Sequence, residues 1–123
     1  MPGAPELPAL RRLLVDSLAA LADDAAAQAT WARRHGVSAD EFALDFDHAL
    51  RTAGSRLAEA VGSTSTAETL HRLDALLRDM SGPDQADRWE PGALATDPGW
   101  AEVRRLAREA LAGLAGPGVL PGA

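Results

Sequence analysis

Leu7, Leu10, Leu14, Leu18, Leu21, Ala25, Gln28 and Ala32 recur at spacings of three and four, the period of one helix face. They predict a long first helix over about residues 8–34, with Pro8 tolerated in its first turn. Arg33, Arg34 and His35 suit the negative end of its dipole, and Gly36 suits a left-handed cap. A second start follows at once. Ser38 with Glu41 reads as a capping box, with Val37 placed to staple against Phe42. Phe42, Phe46, Ala49, Leu50, Ala53, Leu57 and Val61 then make a second stripe that ends at Gly62. The short connection between these helices predicts an antiparallel hairpin.

Ser65 and Glu68 form another capping-box pattern, and Leu70, Leu73, Leu77 and Met80 give the stripe of a shorter third helix closed by Gly82-Pro83. A fourth helix opens at Asp97-Pro98, with a cap residue and then proline in the first turn. It carries Trp100, Val103, Ala107, Ala110, Leu111 and Leu114 inward, and Gly116-Pro117 stops it. No period-two strand pattern and no internal repeat is present. The expectation is an all-α, four-helix bundle-like fold, antiparallel, in one domain spanning 1–123, with residues 1–6 and 116–123 as disordered tails. The connection from Ser81 to Asp97 is unusually long between helices three and four, and Pro83-Asp84 and Pro91-Gly92 are each placed to start a short helical turn within it.

Composition narrows the function more than it names it. The 123 residues are 46% hydrophobic, 24% charged and only 4% aromatic, so the apolar material is mostly Ala and Leu, which suits closely packed helices. Ile, Lys, Asn, Tyr and Cys are absent and every basic side chain is Arg, the mark of a high-GC genome. Without cysteine there is no disulfide, thiolate metal site or cysteine nucleophile. The N-terminus lacks the basic and apolar stretches of a signal peptide, and the apolar runs are too short to cross a bilayer, so a cytoplasmic location is expected. A net charge of −6 disfavours nucleic acid and anionic membranes as partners and leaves a basic protein partner open.

Chemistry-bearing constellations are sparse. Asp45-Ala-Leu-His48 and Glu68-Thr-Leu-His71 each place a carboxylate and an imidazole on one helix face, a spacing that bundle metal sites use. Both histidines fall off the inward stripes, where ligands of a bundle site would have to lie. There is no Gly-x-Ser-x-Gly elbow and no phosphate-binding glycine loop. No enzymatic function, cofactor or metal is expected.

The acids are unevenly placed. Residues 37–50 carry Asp40, Glu41, Asp45 and Asp47 with no Arg, a local charge of −4. Residues 79–102 carry Asp79, Asp84, Asp87, Glu90, Asp97 and Glu102 against Arg88 alone, a local charge of −5. These segments either serve helix ends and solubility, or they face a basic partner and steer its approach. Trp31 and Trp100, near helix stripes, are expected in the core. Trp89 in the long connection is either a pin holding that loop down or an interface anchor. Asp40, Glu41, Asp45, Asp47, Asp84, Asp87, Trp89 and Glu90 are the candidate partner-binding residues.

Three stretches, Trp31-ARRHGVSADEFALDFD-His48, Leu73-DALLRDMSG-Pro83 and Asp97-PGWAEVRRLA-Arg108, resemble small acidic all-helical actinobacterial proteins of the kind that give immunity to polymorphic toxins. The resemblance implies a cytoplasmic, non-enzymatic protein that neutralises a toxin, and it assigns no role to any residue. The other readings are a structural or regulatory helical module that homodimerises, and a metal-binding bundle.

Overall fold

The computed structural model describes residues 6–115; the expected tails, apart from Glu6, and the Gly116-Pro117 stop lie outside them. Among the described residues every regular element is helical: α1 Leu7–Ala22, α2 Ala25–His35, α3 Asp40–Ala53, α4 Leu57–Val61, α5 Thr64–Asp79, α6 Ala93–Thr96 and α7 Pro98–Ala115, with short 3-10 turns at Gly54–Arg56 and Ala86–Trp89. None of these helices is long and apolar enough to cross a membrane.

The single long first helix is two. Asp23 and Asp24 both adopt extended backbone, and the Asp23 carboxylate accepts the Asp24 amide at 2.9 Å. Aspartate competes with the helix for backbone hydrogen bonds. Two of them at the negative end of α1 are unfavourable, whereas at the start of α2 they face its positive end. The freed carbonyls are satisfied from elsewhere. Gln28, buried on the stripe, donates through Nε2 to Ala20 and Leu21 carbonyls at 3.0 Å each, and Arg108 Nε donates to the Ala22 carbonyl at 2.8 Å. Gln28 is therefore a tertiary helix cap, and its Oε1 accepts from Arg104 at 3.2 Å. Burial holds Arg104 below the usual guanidinium range, with the nearby Arg108 charge acting in the same direction.

The second expected helix is also interrupted. Gly54 takes φ 52, ψ −129, a backbone that glycine alone adopts without strain, and the chain restarts as α4 before the left-handed Gly62. Ala53, Leu57 and Val61 remain buried across this break, although Leu50 is only partly so. The capping boxes shift too. Ser38 Oγ accepts from Asp40 at 3.3 Å rather than from Glu41, and α5 is capped by Ser63, whose Oγ accepts the Thr66 amide at 3.2 Å, not by Ser65.

The stripes converge on one core containing Leu14, Leu18, Leu21, Phe46, Leu70, Leu73, Met80, Leu94, Trp100 and Val103. α1 and α7 are its centre: α1 packs against α7 and α3, and α7 also packs against α5. Arg11 locks this arrangement by donating to the carbonyls of Ala60, Val61 and Leu114, at the C-terminal ends of α4 and α7. Its cation complements the negative end of both dipoles.

Candidate partner-binding surface

The long connection is built around Trp89 rather than left free. The Trp89 indole N–H donates to the Met80 carbonyl at 2.8 Å, and its ring meets Trp100 edge to face at 5.3 Å. Trp100 in turn donates to the Arg88 carbonyl at 2.7 Å. Arg88 forks onto Asp97, with Nε to Oδ2 at 2.7 Å and Nη2 to Oδ1 at 3.0 Å, while its Nη1 donates to Gln85 at 2.7 Å. Asp97 also caps α7, accepting the Gly99 amide at 2.7 Å. These bonds, led by the one to Arg88, hold the Asp97 carboxyl below the usual carboxylate range and raise Arg88 further. A side chain at position 99 would collide with the Arg88 guanidinium, which explains a glycine in the first turn of α7.

This geometry decides between the two readings of Trp89. At 9% exposure it is the loop's structural pin, and its ring is not an exposed anchor for a partner. α6 follows Pro91-Gly92 as expected, whereas the other helical turn starts at Ala86 rather than at Pro83-Asp84 and ends at Trp89.

Pinning the loop also joins the two acidic segments. The Ala39 amide donates to the Trp89 carbonyl at 2.9 Å, so Asp40 at the start of α3 and Glu90 of the loop each directly follow a residue of that bond. Asp40, Asp45, Asp84, Asp87 and Glu90 are exposed and make no side-chain ion pair among the described residues; Glu41 is half-buried and likewise unpaired. Asp47 differs, being paired with Arg51 at 3.0 Å. Asp97 and Glu102 leave the negative field altogether, neutralised by Arg88 and by Arg105 at 2.6 Å. What remains of the second segment is Asp79 at the end of α5 and Asp84, Asp87 and Glu90 on the loop.

Between α3 and α5 runs a groove of about 370 Å³ lined by Asp40, Leu44, Phe46, Asp47, Asp74, Leu77, Arg78 and the edge of Trp89. Asp74 pairs with Arg78 at 3.1 Å. Leu44 is 59% exposed and is the apolar element of this surface that the stripe analysis passes over. Its signal in the sequence is an apolar residue two positions from Phe42 and Phe46, off their face.

Trp31, expected in the core, is instead 41% exposed. It lies one position off the buried Gln28–Ala32 line, so its ring spreads along the outside of α2. There it stacks on His35 at 4.2 Å and tilts against Phe42 at 5.4 Å. The His35 Nδ1–H holds the arrangement by donating to the Trp31 carbonyl at 2.8 Å. A second groove of about 540 Å³ opens beside it, lined by Ala20, Asp23, Ala27, Phe42 and Asp45 among others.

The acid-x-x-His pairs do not assemble. His48 and Asp45 line a small recess with Asp16, His71 is exposed on α5, and among the described residues no group of three or more His, Asp or Glu is placed to hold a metal ion. No family model, curated protein or solved structure matches this chain.

Proposed function

We propose that this chain is a non-enzymatic protein-binding module of the cytoplasm, of the immunity type, that neutralises a basic toxin through the acidic surface made by the start of α3 and the Met80–Asp97 connection. In this reading the four long helical segments form an antiparallel four-helix bundle-like scaffold, and the connection between its last two segments is the presented element. The observation that supports it is the Ala39–Trp89 hydrogen bond, which fastens the loop to the start of α3 beside Asp40 and Glu90. A negative field steers a positively charged partner and raises its association rate. Leu44 and the α3–α5 groove offer an apolar spot bordered by Asp40 and by the Asp47–Arg51 and Asp74–Arg78 pairs, the mixed pattern of a protein interface.

The test is protection of growth. The product of the reading frame beside this gene is expressed in a host, alone and with this chain. Protection by the wild type that is lost with Asp84→Arg, Asp87→Arg and Asp40→Arg together supports the reading. Protection that survives this triple charge reversal, or a neighbouring frame that encodes no toxic product, contradicts it.

A further inference from the structure

We propose that the outer seam between α1 and α3, walled at one end by Trp31, is a docking groove for a basic amphipathic helix. The inference rests on the reading of this chain as a binder of basic proteins, and it names the element of the partner that would be seated and a surface distinct from the loop.

Two recesses of about 540 and 180 Å³ share Asp45 and so follow one another along the seam. Their α1 side is Leu13, Asp16, Ser17 and Ala20, spaced as one helix face, with Asp23 just beyond the helix end, and α2 walls the larger recess from Ala26 to Arg34. Ten residues of helix make this wall about 15 Å long, the length of roughly three turns of a docked helix. The α3 side repeats the pattern with Phe42, Asp45 and His48. Leu13, at 38% exposure, and Trp31 supply large apolar surface at the two ends.

Asp16, Asp23 and Asp45 flank that surface, exposed and without an ion pair among the described residues. An apolar strip bordered by carboxylates complements a helix with Leu-like anchors at i, i+3, i+4 and i+7 and Lys or Arg beside them. A small ligand fits less well. The buried polar side chains at the groove have their donors engaged, Gln28 on two carbonyls and Ser17 on the Leu14 carbonyl at 3.0 Å, which leaves no buried donor to orient such a molecule. A second copy fits less well too, because a two-fold contact would set three carboxylates against themselves with Arg34 as the cation lining the groove.

The probe is a synthetic Leu/Lys amphipathic peptide of about fourteen residues, with a Leu/Glu peptide of the same pattern as control. Trp89 and Trp100 are buried, so Trp31 is the indole whose emission should shift to the blue on seating. The expected result is saturable one-to-one binding of the Leu/Lys peptide. Affinity should fall about tenfold or more with Ala27→Arg, which fills the groove from an exposed position, and similarly with Asp23→Asn plus Asp45→Asn. The emission shift should vanish in Trp31→Phe. Asp84→Arg with Asp87→Arg, on the loop, should leave peptide affinity within about twofold. Equal binding of the Leu/Glu peptide, indifference to the groove variants, or a dimer in sedimentation that Ala27→Arg dissolves would each overturn the proposal. Groove-dependent peptide binding by a chain that protects against no toxin keeps this inference and removes only the immunity reading.

Discussion

The Ala39 amide and the Trp89 carbonyl meet at 2.9 Å, and through that bond the loop between α5 and α7 is fastened to the start of α3. The bond depends on Trp89 being held in place, which its indole achieves by donating to Met80 while its ring abuts Trp100. The far half of the loop is held separately, by the buried Leu94 and by Arg104 donating to its carbonyl, so Trp89 fixes the half that carries Asp84 and Asp87.

Trp89→Ala should therefore cost about 3–5 kcal/mol of stability, the range for deleting a large buried aromatic. Trp89→Phe keeps a ring beside Trp100 and loses the bond to Met80, so it should cost about 1–2 kcal/mol. Urea unfolding followed by far-UV circular dichroism measures both. A Trp89→Ala protein as stable as wild type would show that the loop is not pinned through this side chain.

Gly99→Ala tests the neighbouring Arg88–Asp97 fork. In an exposed helical site the change ordinarily stabilises by up to about 1 kcal/mol. Here the new methyl displaces the Arg88 guanidinium and presses on Met80 Sδ, 3.0 Å from the ideal Cβ position. The expected sign is thus reversed, and a raised melting temperature would contradict the packing at this turn.

The same fork sets a pH dependence. The Asp97 carboxyl is depressed chiefly by its hydrogen bond to Arg88, so its stabilisation is present above the unfolded value of about 3.9 and is lost as pH falls through the lower folded value. At neutral pH Asp97→Ala should cost about 1–2 kcal/mol as a lost helix cap. Below about pH 4 the gap between wild type and variant should narrow. A gap that stays constant from neutral pH to pH 3 would rule out the charged form of Asp97 as the source.

Gln28→Leu keeps the volume and removes the cap from the end of α1. It strands the Ala20 and Leu21 carbonyls and takes an acceptor from Arg104, so a loss of about 2 kcal/mol or more is expected in chemical denaturation. A neutral or stabilising result would mean that water replaces the amide there.

Periodicity in the sequence tracked burial well and continuity poorly. Leu10, Leu14, Leu18, Leu21, Gln28 and Ala32 are all buried as their spacing predicts, yet the helix that carries them breaks at Asp23–Asp24. The stripe resumes in phase after the break, so spacing alone cannot register it; the paired aspartates and the buried polar Gln28 were the available signals. Gly54 was similarly hidden inside a continuing stripe. The pin role of Trp89 was one of two readings the sequence left open, whereas the exposure of Trp31, expected in the core, was missed. Both outcomes depend on which carbonyl each indole can reach, Met80 for Trp89, and on Trp31 lying one position to the side of its own stripe. The acidic segments were visible by count, but their neutralised members, Asp97 and Glu102, emerged only from their arginine partners.

The most direct test of the acidic surface is the association rate with the partner that the proposal expects the neighbouring reading frame to encode, measured by stopped flow as a function of salt. The wild-type rate should fall steeply as ionic strength rises, because unpaired carboxylates steer the encounter. Asp84→Arg with Asp87→Arg should slow association about tenfold or more at low salt and flatten its salt dependence. Both residues are exposed and unpaired, so the melting temperature should stay within a few degrees. An unchanged rate and salt slope in a folded double variant would contradict the assignment of this surface to the partner.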